Sequence, residues 1–449
     1  MQHVLLVKDP SSGSRILYLS LSVLQTTLEF VALAWMAVFF KHRFSKKVYY
    51  SYIGLVFVFF AIHVVDFALL RIMNLSFWTA FDMMLGETWE NFIELLKLTG
   101  IPMGVWLAFV PLALVLPMIG AYLYHLSMRF AKRAICTRTL TCTLCLLPVG
   151  LMGICLLCNS FVDPIAHRKF ASVMPFKGTM LGPKAFAVKM ERPIQIPLLE
   201  PESLPKIKAR TMPNIYVFVA ESLRADYFTE EVAPNLSPNS QKAIAAGNGT
   251  QISWYSIFHA NSPLTWSTYQ KLGPSKGALP LRLFKEMGYE IHCHSAAQLK
   301  YYNMDELLFG KERNLLTSCN VFPHYDPSPA WESDEKALQS VFKSLKKSGQ
   351  MHIVFLDSSH FHYSWNPAFK APYTPHSEGA GIGLTSANPE IMERIQNSYR
   401  NSVAYVDFLV GSFKYALHKR GLYKNAVIAF TGDHGEEFYE EGNLFHASD

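Results

Sequence analysis

Residues 213–226 read Pro-Asn-Ile-Tyr-Val-Phe-Val-Ala-Glu-Ser-Leu-Arg-Ala-Asp. From Ile215 to Ala220 the run is β-prone and continuous rather than alternating, which suits a strand covered on both faces in a parallel sheet. It stops at Glu221. In open α/β sheets the C-terminal ends of strands line the ligand site. A carboxylate there is a candidate for chemistry, set against the plainer reading of a solvated loop glutamate.

Two further runs have the same form. Ala426 to Phe430 leads into Thr431-Gly432-Asp433-His434-Gly435-Glu436, and His352 to Leu356 leads into Asp357-Ser358-Ser359-His360-Phe361-His362-Tyr363. Adjacent Asp and His at a strand end, with glycines that let the backbone turn, suit a divalent metal taking oxygen and imidazole ligands. Helix-like segments separate the strands, including Pro280 to Met287, Asp334 to Lys347 and Ile391 to His418. That alternation predicts a mostly parallel sheet covered by helices.

Outward from this half the composition changes. The chain has 449 residues, more than one hydrophobic core usually organises, and its apolar excess lies almost wholly before residue 161. Spanning a bilayer as a helix takes roughly 20 apolar residues. Four stretches qualify, at 16–40, 49–73, 101–127 and 139–160, and they predict a transmembrane helix bundle over 1–160. The first is too long, and too soon followed by others, to be a cleavable signal. Basic loops stay cytoplasmic. Lys41, Arg43, Lys46 and Lys47 fill the first loop and Arg129, Lys132, Arg133 and Arg138 the third, whereas the second carries Asp82, Glu87, Glu90 and Glu94. The expectation is a multi-pass protein of the plasma membrane with everything after residue 160 outside the cytoplasm; Lys8 and Arg15 fit that orientation less well. Glu29, His63 and Asp66 place ionisable groups at membrane depth, as a functional lining or as polar pairs inside the bundle.

A proline-scattered stretch over 161–212 reads as a connector at the membrane surface, leaving 213–449 as the catalytic domain. The net charge of +6 forms no basic stripe interleaved with aromatics, so no nucleic-acid partner is expected. Cys136, Cys142, Cys145, Cys155 and Cys158 lie in or beside the last apolar stretch, as small apolar residues. Cys293 and Cys319 form a second group, compatible with one disulfide in an oxidising compartment.

Four segments together resemble the sulfatase-like transferases of the alkaline phosphatase superfamily, the group of phosphoethanolamine transferases and lipoteichoic acid synthases. They are PNIYVFVAESLRADYF (213–228), LDSSHFHYSWNPAFKAPYTP (356–375), NSYRNSVAYVDFLVGSF (397–413) and FTGDHGEEFYEEGNLFHAS (430–448), in the family's order after a multi-span anchor. The resemblance implies Glu221, Asp433 and His434 as ligands of a divalent metal, zinc or manganese, with His446 on metal or phosphate and His360 on the substrate side. It also implies a hydroxyl nucleophile, itself a metal ligand, roughly 40 residues after the first carboxylate. Ser262 fits that spacing best and Thr265 is the alternative; either also reads as a helix N-cap.

Sulfatases that use formylglycine carry Pro and Arg two and four positions after the modified residue. Leu264 and Trp266 stand there after Ser262, which disfavours that chemistry. The run stops at Asp449, where relatives continue through further strands, so either a truncated chain or an incomplete final sheet is expected. The implied function is transfer of a phosphorylated head group from a membrane phospholipid to an envelope lipid or glycan. The competing expectations are a lipid-sensing protein without turnover, and a phosphodiesterase or sulfuric ester hydrolase.

Overall fold

The structure, a computed structural model, describes residues 33–73, scattered positions elsewhere before 126, and residues 203–449. Within the last range it omits 267, 270–275, 324–328, 378–388, 439, 441–443 and 447–449. Two compact units are present, and each is described by itself.

In the first unit, residues 33–43 are helical, the chain breaks at 44–45, and helix α1 follows over Lys46–Met73. Ser45 starts α1, its Oγ accepting from Val48 N at 3.5 Å. The basic cluster of Lys41, Arg43, Lys46 and Lys47 surrounds this break. The window Lys46–Asp66 is 21 residues long and apolar, about 31 Å of helix, which matches a hydrocarbon core. Leu55, Val58, Phe59 and Phe60 stand exposed along it, the pattern of a helix that is apolar all round. Tyr52 joins α1 to the preceding helical segment, donating from its hydroxyl to Leu33 O at 2.9 Å and stacking on Phe40. Among the described residues this is the one helix long and apolar enough to cross a membrane. Most of 16–40 and of 101–127, the stretch at 139–160, Glu29 and the connector up to residue 202 lie outside the described residues.

The second unit is built on a five-stranded sheet: β1 Asn214–Ala220, β2 Glu290–Ser295, β3 Ser318–Val321, β4 Gln350–Leu356 and β5 Ala426–Gly432. The strand order is β3-β2-β4-β1-β5 and every pair is parallel. Helices cover both faces, which is why β1 is apolar without alternation. Ile215, Val217 and Val219 face α2 (Thr250–His259), α3 (Leu279–Glu286) and α4 (Met304–Phe309), where Trp254 packs edge-on against Phe355. Tyr216, Phe218 and Ala220 face α5 (Ala330–Ser344) and the 31-residue α6 (Pro389–Lys419). Burying each large apolar side chain contributes about 1.5–3 kcal/mol. The buried positions Ile395, Tyr399, Val403, Val406, Val410, Phe413 and Leu417 recur every three or four residues along α6; the last four pack on the sheet, and the first three on Val232, Tyr363 and Phe438.

This topology brings the C-terminal ends of β4, β1 and β5 side by side. Glu221 N donates to Leu356 O at 2.9 Å and Asp433 N to Ala220 O at 3.2 Å, carrying the ladder one residue beyond each strand. A short antiparallel pair, β6 (Glu437–Phe438) and β7 (Leu444–Phe445), follows β5 and returns His446 to the same edge.

Candidate active site

Five side chains meet at that edge. Glu221, Asp433 and His434 hold their ligand atoms within 4.8 Å of one another, and so do Glu221, His360 and His446. Glu221 is common to both groups. His434 Nε2 lies 3.0 Å from Glu221 Oε1 and 3.6 Å from Asp433 Oδ2, with the His434 and Asp433 side chains fully buried.

Each group is fixed by the turn that carries it. Asp433 Oδ1 accepts from Ser222 N at 3.0 Å and from His434 N at 2.7 Å, which leaves Oδ2 buried without a hydrogen-bond partner. Ser222, with φ of 56°, turns the chain sharply after Glu221. That turn is held by Tyr399 on α6, whose hydroxyl donates to Ser222 O at 2.6 Å and accepts from Arg224 N at 2.8 Å. Ser359 Oγ donates to Glu221 O at 2.6 Å, tying the His360 turn to β1. Behind it, buried Asp334 on α5 accepts from Asp357 N at 2.7 Å and Ser358 N at 3.0 Å.

The electrostatics are those of a cation site. Burial alone would lower His434, but the Glu221 and Asp433 carboxylates raise it to about 10. Burial opposes ionisation of Glu221, and the positive charge of His434 outweighs it, holding Glu221 well below the usual carboxylate range. Asp433 is pushed well up by burial and by the neighbouring Glu221 charge. Two adjacent buried carboxylates with one orphaned oxygen fit a divalent cation. The imidazole fits as well. Its Nδ1 lies 2.9 Å from Gly435 O, a pure acceptor, so Nδ1 carries the hydrogen and Nε2 is the atom offered to a ligand. On the far side, His446 Nδ1 lies 3.2 Å from Glu436 Oε2, and Tyr363 donates to Glu436 Oε1 at 3.1 Å.

Two hydroxyls reach the centre: Ser222 Oγ donates to Glu221 Oε1 at 3.2 Å and lies 3.3 Å from His446 Nδ1, and Thr250 sits on the His434 side. Its Oγ is 3.2 Å from both carboxylate oxygens of Glu221 and 3.4 Å from His434 Nε2. Thr250 is the first residue of α2, entered from Gly249 in extended conformation. The residue lies 29 positions after Glu221, short of the roughly 40 expected.

The placement of Ser262 and Thr265 at this centre is therefore corrected. Ser262 lies past the opposite end of α2, and a helix of 10 residues separates the two ends by about 15 Å. There it caps a short 3-10 turn, its Oγ accepting from Leu264 N at 3.4 Å. Thr265 is buried and bonded to Tyr255 Oη at 2.7 Å and Ser262 O at 2.7 Å. The one local signal beside Thr250 is the Gly-Asn-Gly of 247–249, which marks a helix entry but not its place at the centre.

Residues 213–449 match the sulfatase family. The chain belongs to that family. No curated protein matches it. Among solved structures, the integral membrane lipooligosaccharide phosphoethanolamine transferase EptA of Neisseria meningitidis is 16% identical, with a TM-score of 0.52. That likeness covers 98% of this chain and 85% of EptA, and at such identity it is one of fold. The zinc complex of the periplasmic domain of Escherichia coli EptC is 15% identical over 53% of this chain and 70% of that domain, with a TM-score of 0.38. An alkaline phosphatase superfamily protein from Vibrio parahaemolyticus is 16% identical over 51% of this chain, with a TM-score of 0.36. The chain spans 56% of the length of that last protein. The sulfatase-family domain is a mostly parallel α/β domain, with its cluster at the C-terminal strand ends, where open α/β sheets place their ligands.

Proposed function

We propose that the protein is a membrane-anchored, metal-dependent transferase that moves a phosphorylated head group from a phospholipid to an envelope lipid or glycan, with Thr250 as the nucleophile. The observation that carries this reading is the Thr250 hydroxyl, held between Glu221 and His434 at a helix N-terminus. Glu221, Asp433 and His434 would hold a divalent metal, zinc or manganese, with Thr250 beside it and His360 and His446 flanking it. When bound, such a cation lowers the pKa of a neighbouring hydroxyl and offsets phosphoryl charge.

The chain's own groups do the rest. Glu221 accepts the Thr250 hydrogen bond, which orients the hydroxyl oxygen. The first backbone N–H groups of α2 have no intrahelical acceptors and form a cradle for phosphoryl oxygens. Thr250 Oγ attacks phosphorus as its proton passes to solvent, the bond to the lipid oxygen breaks, and His360 or His446 supplies a proton to that leaving oxygen. The acceptor hydroxyl then gives its proton to that histidine and attacks the phosphothreonine, and the departing Thr250 oxygen takes a proton back from solvent. Formylglycine chemistry is disfavoured here too, because Ile252 and Trp254 stand two and four positions after Thr250 in place of Pro and Arg.

An anchor suits this donor. With the 33–73 segment in the bilayer and its basic break in the cytoplasm, the enzyme domain acts from the outer side of the plasma membrane on lipids within reach. The full-chain likeness to EptA supports a multi-span anchor. The test is head-group release from a fluorescent phospholipid by the purified full-length protein, with and without a lipid or glycan acceptor. Metal-dependent, acceptor-dependent release that Thr250→Ala abolishes supports the reading. Release to water alone makes the protein a phosphodiesterase, and turnover unchanged in Thr250→Ala sinks the nucleophile assignment.

A further inference from the structure

Cys293 in β2 and Cys319 in β3 are direct register partners across a parallel strand pair. Neighbouring strands run about 4.8 Å apart, inside the span of about 4.4–6.8 Å between the Cα atoms of a disulfide. Both cysteines are free. Their surroundings differ. Cys293 is sealed in the core, whereas Cys319 lies half-buried on β3, the edge strand of the sheet. Arg313 Nη1 approaches Cys319 Sγ at 3.9 Å, and Asp305 holds that guanidinium in place at 2.8 Å.

We propose that Cys293 and Cys319 form a reversible dithiol/disulfide pair, in which Cys319 is the attacking thiol and Cys293 the resolving one. The assignment of roles follows from access and charge, since attack needs a reachable sulfur that can ionise. The neighbouring Cys293 thiol is the largest influence on Cys319; with the Arg313 charge it outweighs burial and brings the thiol down to about 7. The same contact and burial push Cys293 well up, so it stays a thiol until a mixed disulfide is beside it.

The oxidant is a low-molecular-weight or protein disulfide. Cys319 sulfur attacks one of its sulfurs, forming a mixed disulfide and releasing one thiol. Cys293 sulfur then attacks the Cys319 sulfur, forming the protein disulfide and releasing the second thiol. Each cysteine's proton ends on a released thiol, so two protein thiols and one external disulfide become one protein disulfide and two external thiols. An external dithiol runs the exchange backwards. The bond would tie the edge strand to β2, two strands from Glu221 in the sheet and outside the transfer chemistry.

The experiment exposes native full-length protein to oxidised glutathione, quenches with acid, alkylates under denaturing conditions and maps peptides by mass spectrometry. Peptide-level reading keeps the cysteines of the membrane half apart from this pair. The expected result is a peptide containing Cys293 linked to one containing Cys319, reversed by dithiothreitol. Cys293→Ser should trap glutathione on Cys319, and Cys319→Ser should leave Cys293 reacting about tenfold more slowly or not at all. Wild-type protein in which both residues are still alkylated as free thiols after native oxidation overturns the pair. Glutathione found on Cys293 rather than Cys319 overturns the roles.

Discussion

His434 and His352 are both fully buried on one sheet, yet they are driven in opposite directions. His434 stands beyond the C-terminal end of β5 with carboxylate oxygens at 3.0 and 3.6 Å, and its pKa rises to about 10. His352 lies within β4 among neutral groups, and burial drives it far below 6.5, helped by His294 and His292. Burial is common to the two sites; what differs is who shares it. Around His352 the hydrogen bonds run one way. Gln350 Nε2 donates to Ser344 O at 2.7 Å, which fixes the amide, so His352 Nε2 donates to Gln350 Oε1 at 3.3 Å. His352 Nδ1 must then accept from His294 Nε2 at 3.1 Å, and His294 Nδ1 meets Ser340 Oγ, which also donates to Ala337 O at 2.7 Å. A further proton on His352 sets donor against donor. The strand ends hold charge for chemistry, and the strand interior satisfies polar groups for packing.

The sharpest way to break this comparison is at the charged end. On the proposed reading, in which its hydroxyl is the nucleophile, Thr250→Ala should lower turnover by about 10⁴-fold or more with folding intact. Ser262→Ala should leave turnover within about threefold and cost about 1 kcal/mol of stability, the value of a lost cap. Thermal melts beside a head-group release assay read both. Equal losses in the two variants would mean that the site extends along α2 to its far end, against the distances.

The neutral cluster predicts an acid limb in stability. Burial holds His294 down at about 4 in the native protein, against 6.5 when unfolded. Below pH 6.5 the unfolded chain therefore binds more protons. The contribution is fully present above pH 6.5 and is lost progressively as pH falls through about 4, a loss of about 3 kcal/mol from this residue. Denaturant midpoints from pH 7 to pH 4 check the limb, and His294→Gln should flatten it. A profile that His294→Gln leaves unchanged would show that the cluster already carries a proton in the native state.

How far the molecule could be read in advance follows the same divide. β1 and β4 were legible because strands buried on both faces read as unbroken apolar runs, and β5, partly exposed at the sheet edge, because it is apolar all the same. β2 and β3 were not, because Glu290-Ile-His-Cys-His-Ser places its histidines on an inward face and β3 has only four residues. Glu221, Asp433 and His434 sit directly at strand ends, where position in sequence and position in space coincide, and the structure brings them together. Thr250 depends on how the loop after Asp226 returns to the sheet, which local pattern does not encode. Ser262 before Pro263 has a strong helix-start signal, and it does start a turn; local chemistry was readable where the long-range path was not. The apolar character of the first unit is plain from composition, whereas helix-to-helix packing has no comparable signal in hydropathy.

The smallest expected effect tests the partners of the histidines rather than the histidines themselves. Glu436 Oε2 faces His446 Nδ1 at 3.2 Å, and Gln350 Nε2 faces His292 Nε2 at 3.3 Å, so the two sites use a carboxylate and an amide in matching positions. A carboxylate can only accept, which keeps the hydrogen on His446 Nδ1 and leaves the other nitrogen able to bind. An amide can also donate, and would let the imidazole take the opposite tautomer. Glu436→Gln makes the charged site resemble the neutral one while keeping the side-chain shape and the bond from Tyr363. Affinity for zinc or manganese, read by chelator competition, should fall about 10–100-fold, the usual effect of losing an outer partner of a ligating histidine. Unfolding midpoints should change little, because the Tyr363 contact at 3.1 Å survives on the amide oxygen. An unchanged affinity would mean that orientation, which either side chain supplies, matters at His446 more than charge does, and the contrast between the two sites would then rest on Glu221 and Asp433 alone.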